Sequence, residues 1–436
     1  MKRKFVKSIA YFIVAVLVLL SVSGCSQNSG TNSENSNSDI AISRSEYSTE
    51  NVTESQTEQQ TEHLSEVPNG YIGIYTVEDL KNSTFNTEAN YILMNDLDLS
   101  SIANWEGINN KSIFDGNNYT ISNLKSTKSG LFLEANNIYN LNVKNVDINI
   151  NERNVILGAL ACKAVQVFNC ISSGEINVNY NNDHAAGPYT RIGGLVGYTE
   201  EKIKNCKSGV AITHTVSHID NYIGGISGIS PKKIEDCEFF GTINCKNASA
   251  GGITGSANRS IEIINCSNKG TINCVFQPGY WQIDWSELCL GGIVGYVQSD
   301  AIISNCFNIG DISSKISTDK APDIGYCFGG IIGASHISYN SLNIQNCYNA
   351  GKINVEGNNK KIGAITGSDK TDDLYIRNCA YLKNDIYGIT STNAMFANCK
   401  AMTENEMHDI NNYPFNNINE WKNVQNSYPI YNYIDE

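Results

Sequence analysis

The chain has 436 residues, a formal net charge of -13 and 17% charged residues, with 36 glycines, 14 cysteines and only 7 prolines. So acidic a balance excludes nucleic acid as a partner, because that binding rests on cationic contacts to phosphate. It equally excludes docking on anionic lipid headgroups through basic residues, and a net negative surface mainly serves solubility.

The first seven residues, Met1-Lys2-Arg3-Lys4-Phe5-Val6-Lys7, are cationic, an apolar run covers 9–20, and Val22-Ser23-Gly24-Cys25 follows. That order reads as a secretory signal over residues 1–24, and the run is short for a membrane span. The ending resembles the lipobox of bacterial lipoproteins. The resemblance implies that cleavage leaves Cys25 as a lipidated N-terminus on the extracytoplasmic face, the only membrane contact expected. Residues 25–70 are rich in Ser, Asn, Thr and Glu with few aromatics. Such a stretch cannot bury enough apolar surface to offset its ordering entropy, so a disordered tether is expected.

Residues 71–100 read as an N-terminal cap. Thr76-Val77-Glu78-Asp79-Leu80 predicts a short helix with Thr76 as N-cap. Segments 91–99 and 113–121 then read as the first strands.

From 101 to 400 one pattern recurs. Asn-Cys, once Asp-Cys, stands at Cys170, Cys206, Cys237, Cys266, Cys306, Cys347, Cys379 and Cys399. Most copies follow Gly-Gly-Ile/Leu-x-Gly and precede Gly-x-Ile. The second position of the Gly-Gly pair falls at Ala159, Gly194, Gly225, Gly252, Gly292, Gly330 and Ala364. The spacing varies while the core of the unit does not, so insertions belong in loops and a fixed set of positions stacks. Each unit has three apolar pieces: one after Gly-Gly, one ending in Ile-x-Asn-Cys, and Gly-x-Ile. In the first, alternation points Leu195 and its equivalents inward and Val196 and its equivalents outward. The Asn before each Cys tolerates a left-handed backbone and is placed at a corner. Gly and Asn recur too often for helical repeats, and no sustained 3.6 period appears. The fold expected is all-β: a right-handed parallel β-helix with short helical caps.

The cysteine column supports that register. Cys245 and Cys274 occupy equivalent places in adjacent units, as do Cys289 and Cys327. Neighbouring coils lie about 4.8 Å apart, within reach of a disulfide. Buried thiols serving as small apolar core residues are the simpler reading. At the far end, 401–436, Thr403-Glu404-Asn405-Glu406 is a capping box, and an aromatic tail with Trp421, Tyr428 and Pro429 is expected to close the stack.

The Gly-Gly-Leu-Val-Gly run at 193–197, the Asn-Cys column and the Tyr-x-Leu-x-Asn-Asp-Leu-Asp-Leu opening resemble GLUG-motif proteins. That repeat occurs in bacterial surface proteins and in the non-catalytic region of IgA1-specific metallo-endopeptidases. The resemblance implies a secreted surface module over roughly 71–436 and carries over no catalytic residue. The peptidase's His-Glu-x-x-His motif is absent, since none of the 6 histidines precedes a Glu.

Long inserts at 179–191, 213–222, 275–288 and 313–326 occupy one connection in the repeat and should share one edge, as binding inserts on solenoids do. Tyr280, Trp281, Asp284 and Trp285, with Tyr189, Tyr222 and Tyr326, form a set suited to stacking on sugar rings or gripping a protein. Rings folded back onto the solenoid would serve only as cover. His184, His214 and His218 share that edge, and imidazole suits zinc, but no helix sets their spacing. No cofactor is implied. Non-catalytic binding of an extracellular glycan or a surface protein is the reading that follows. A glycosidase or lyase would need paired acids, for which Asp284, Glu287, Asp319 and Asp323 are available, with Lys315 and Lys320 as the nearby cations. Fold analogy alone suggests that chemistry. A passive spacer is the third reading.

Overall fold

A computed structural model describes residues 63–152, 154–180, 190–216, 221–277, 288–317, 325–335, 341–369, 373–383 and 395–432. The expected leader, Cys25 and residues 25–62 lie outside them. His63 and Leu64, within the stretch assigned to the tether by composition, contact the first coils. The Leu64 backbone amide donates to Asn117 Oδ1 at 2.8 Å, and the His63 ring stacks on Tyr119 at 4.0 Å.

One coil shows how the sequence winds. Thr190–Gly193 forms a strand of sheet C. Gly194 and Leu195 turn the chain into Val196–Lys204 of sheet A. Asn205 and Cys206 turn it again into Lys207–His214 of sheet B. The next coil repeats the path and pairs with it in parallel on every sheet, with Ile192 beside Ile223, Ile203 beside Ile234 and Ile212 beside Ile243. Among the described residues sheet A has 17 strands, sheet B 16 and sheet C 7. The molecule is a parallel β-helix, as the repeats predict.

The core is a set of in-register stacks. Ile203, Ile234, Ile263, Ile303, Ile344 and Ile376 follow one another up sheet A, each wholly buried. Burying each such side chain contributes roughly 1.5–3 kcal/mol. The corner before each thiol is left-handed, with φ of 55° at Asn169, 51° at Asn205, 57° at Asp236, 56° at Asn265 and 55° at Asn305. Asn amides bond from coil to coil along that corner: Asn205 donates to Asn169 at 2.9 Å and Asn305 to Asn265 at 3.0 Å. The corner leaves a carbonyl two residues before each Cys. Cys170, Cys206, Cys237, Cys266, Cys306, Cys347 and Cys379 each donate to that carbonyl at 3.2 Å. A small apolar side chain with a weak S–H donor meets both demands of the site, which is why Cys recurs there.

Two expectations fail in detail. The first and second apolar pieces of each unit lie in one sheet. The third face is instead the segment before Gly-Gly, as in Leu288–Gly291 and Tyr326–Gly329, where every residue is buried and no alternation betrays a strand. Val196 and its equivalents are buried too. Val196, Val294 and Ile332 join the main core, while Ser227 and Thr254 donate to carbonyls two residues on at 2.6 and 3.3 Å. Sheet A starts so close to sheet C that the glycine between these positions cannot change. A Cβ at Gly255 would sit 2.3 Å from the Ile223 nitrogen.

Both caps are present. Helix α1 (Val77–Asn82) has Thr76 and Asp79 in a capping box, and helix α2 (Glu404–Met407) has Thr403 and Glu406. The aromatic tail does not simply close the stack. It folds back along the flank of sheet B, where Trp421, Tyr413, Phe415 and Ile430 pack on Phe307, Tyr348 and Ala380. Tyr348 Oη donates to Pro429 O at 2.7 Å, and Asn417 reaches the corner residue Asn305 at 2.9 Å. Phe307 and Tyr348 face outward from sheet B and need this cover.

Candidate binding groove on sheet B

The inserts leave the ends of sheet B strands and enter sheet C. The flanking strands narrow them to 179–189, 215–220, 277–287 and 317–325. Because those strands are paired in register, the inserts are rooted at one corner of successive coils. The coil between the second and third lacks an insert. Thr242–Lys246 passes into Ser249–Gly251 through Asn247 and Ala248 alone. Asn247 makes that tight turn with φ of 48°. It also pins the root of the next insert, accepting from the Gln277 amide at 2.7 Å and donating to the Gln277 carbonyl at 3.0 Å.

Beside this corner, on the outer face of sheet B, runs an open groove of about 940 Å³. Its floor is two columns of outward side chains. One is Thr213, Asn244, Asn273, Ser313 and Asn354, and the other includes Lys246, Val275, Lys315 and Glu356. Within the first column Asn273 donates to Asn244 at 3.0 Å. Amides, hydroxyls, two ammonium groups and one carboxylate on a rigid sheet can hydrogen-bond a polar ligand without reorganising. Sequence reasoning did not single out this face. Its signal was present in Thr271-Ile272-Asn273-Cys274-Val275-Phe276, whose burial alternates residue by residue, and in the matching segments of neighbouring repeats.

The expected site residues fare unequally. Tyr189, Tyr280, Trp281, Asp284, Trp285, His184 and His218 lie outside the described residues, as do Glu287, Asp319, Lys320 and Asp323. Tyr222 is half-buried, with the Arg191 guanidinium 4.4 Å above its ring and Gln298 donating to its hydroxyl at 3.2 Å. Its neighbours are the small cluster of Cys289, Tyr296, Cys327 and Ala334 between sheets C and A. Tyr326 is not on the ligand side at all. It is wholly buried, stacks on Phe276 at 5.3 Å, and burial pushes its phenol up to about 12. It points inward because its strand alternates Tyr326 and Phe328 toward the main core.

His214 is likewise no loop residue. It ends a strand of sheet B, faces inward beneath the groove with Cys245 as its register partner, and is 1% exposed. Burial holds its imidazole down to about 4, so the ring is neutral at pH 7. Among the described residues no group of three or more His, Cys, Asp and Glu side chains is arranged to hold a metal.

Comparison with known proteins adds three findings. Residues 286–313 match the family model for the GLUG motif. No curated protein matches the chain. Among solved structures, one titled "Crystal structure of a putative immunoglobulin A1 protease from Bacteroides ovatus" aligns with a TM-score of 0.45 and 17% identity, over 83% of this chain and 92% of that one. The GLUG resemblance read from the repeats has its counterpart in the family-model match: this chain carries a GLUG motif at 286–313, whose described residues, from 288 on, wind into the parallel β-helix.

Proposed function

We propose that this protein is a lipid-anchored binding module of a bacterial surface, held by Cys25, that takes an extracellular glycan along the outer face of sheet B beside the insert-bearing corner. The observation that supports this reading is the groove: an open, polar floor of in-register Asn, Ser and Thr side chains on a rigid solenoid. Sugar hydroxyls are donors and acceptors at once, and fixed amides bind them with little ordering cost. The aromatic insert 278–287 is rooted at Gln277, on the rim of that floor. Its Tyr280, Trp281 and Trp285 supply the stacking surface in this proposal, and Asp284 a hydrogen-bond acceptor. No step of bond cleavage is assigned, and the module is non-catalytic in this reading.

The test is a glycan array probed with the chain from residue 26 onward, beside an Asn244→Ala/Asn273→Ala variant and a Trp281→Ala/Trp285→Ala variant. Binding by the parent that both variants lose while remaining folded supports the reading. A folded parent that binds no glycan refutes it, and pull-downs with surface proteins then test the protein-partner alternative.

A further inference from the structure

The chain is acidic overall, with a formal net charge of -13, and among the described residues the groove lining holds two lysines, Lys246 and Lys315, and one acid, Glu356. The two lysines are not scattered. Lys246 pairs in register with Val275, and Val275 with Lys315, so both stand in one outward column with one coil between them. Their backbones are therefore two inter-strand spacings apart, roughly 9.6 Å. Val275, between them, is 42% exposed and offers an apolar contact. In the neighbouring column Asn244, Asn273 and Ser313 keep the same three-coil register. Their one mutual bond leaves the Asn244 amide nitrogen and the Asn273 amide oxygen directed elsewhere.

Resting on the glycan reading above, we infer that the ligand is a linear acidic polysaccharide lying parallel to the solenoid axis, with one carboxylate per disaccharide. The repeat of an extended β-linked disaccharide is close to two coils, so successive carboxylates meet Lys246 and Lys315 while the sugar between them lies over Val275. The Asn and Ser column meets its hydroxyls. Glu356, next in register after Lys315, stands one coil on, where a neutral sugar falls, and so disfavours a chain with a carboxylate on every residue. Charge complementarity of this kind sets specificity and encounter rate more than raw affinity. Its contribution falls with added salt because the groove is open to solvent.

The experiment titrates the chain from residue 26 onward with hyaluronate and unsulfated chondroitin oligosaccharides, and with cellohexaose as a neutral comparator, at low and high salt. Its variants are Lys246→Met/Lys315→Met and Lys246→Arg/Lys315→Arg. The expected result is binding of at least one acidic oligosaccharide, at least tenfold weaker in the Met variant, retained in the Arg variant and weakened by salt. Cellohexaose bound as tightly as the acidic chains, or an unchanged Met variant, overturns the acidic ligand and leaves the glycan reading standing. No binding of any of the three by a protein with an intact β circular dichroism spectrum overturns the acidic ligand, while the array decides the broader reading.

Discussion

The coils before residue 152 and those from 156 onward solve the same stacking problem differently. The early coils use two sheets with long strands, such as Phe132–Tyr139 and Asn142–Ile150. Their corner keeps the left-handed Asn, with φ of 51° at Asn140, but Leu141 occupies the place that Cys170 takes one coil later. The later coils add sheet C, whose seven strands each precede one of the seven Gly-Gly positions. That third face brings two backbones into contact and demands glycine there. It also creates a corner where loops can be inserted beside a flat, polar sheet. The contrast teaches that the Gly-Gly motif is the requirement of a third sheet, and that the groove runs alongside the coils that have that sheet.

The sharpest way to break the contrast is Gly291→Ala. A Cβ there would lie 2.0 Å from the Val294 carbonyl oxygen, a backbone atom with no room to yield. We expect a loss above about 4 kcal/mol, seen as failure of the later coils to protect their amides from hydrogen exchange while the early coils stay protected. At the shared corner, Leu141→Ala should cost about 3 kcal/mol through the cavity it leaves, and Cys266→Ala nearer ~1 kcal/mol. Denaturant midpoints compare the two. A larger cost for the cysteine would show that the thiol-to-carbonyl bonds, rather than volume, hold the corner.

His214 gives a pH test confined to the later coils. Its folded value is about 4 against an ordinary 6.5, so between those values the unfolded chain binds a proton that the folded chain does not. Stability is complete above pH 6.5 and falls as pH drops toward 4, by about 2 kcal/mol on reaching pH 5. His214→Val should flatten that slope in urea midpoints taken from pH 7 to pH 5. The smallest effect on stability is expected from Asn244→Ala/Asn273→Ala. Melting should shift by no more than about 0.5 kcal/mol equivalent, while glycan binding is lost.

How much of this was legible depends on what each residue faces. The corner asparagines were readable because a left-handed backbone selects Asn locally, whatever surrounds it. The inward Ile stacks were readable because one face of sheets A and B meets solvent, so burial alternates. Sheet C was not readable. Leu288, Cys289 and Leu290 are buried on both faces, and a strand without a wet side has no period. Tyr326 misled for the same reason: a Tyr beside a polar insert looks like a ligand contact until its register partner Leu288 and its neighbour Phe328 show that it faces the core. His214 misled because two more residues of strand, Thr213 and His214, turn a loop histidine into a buried one.

The sequence by itself determined the winding: a repeat with constant core positions, an Asn at each turn and a small buried thiol after it. These are choices made by the local backbone and by the nearest coil, so they are written in each unit. Only the tertiary structure decided which outward residues share a surface. Asn244, Asn273 and Ser313, or Lys246 and Lys315, are up to about 70 residues apart in the chain. They become neighbours through parallel pairing in one register, and a shift of a single residue would turn every one of them into the core.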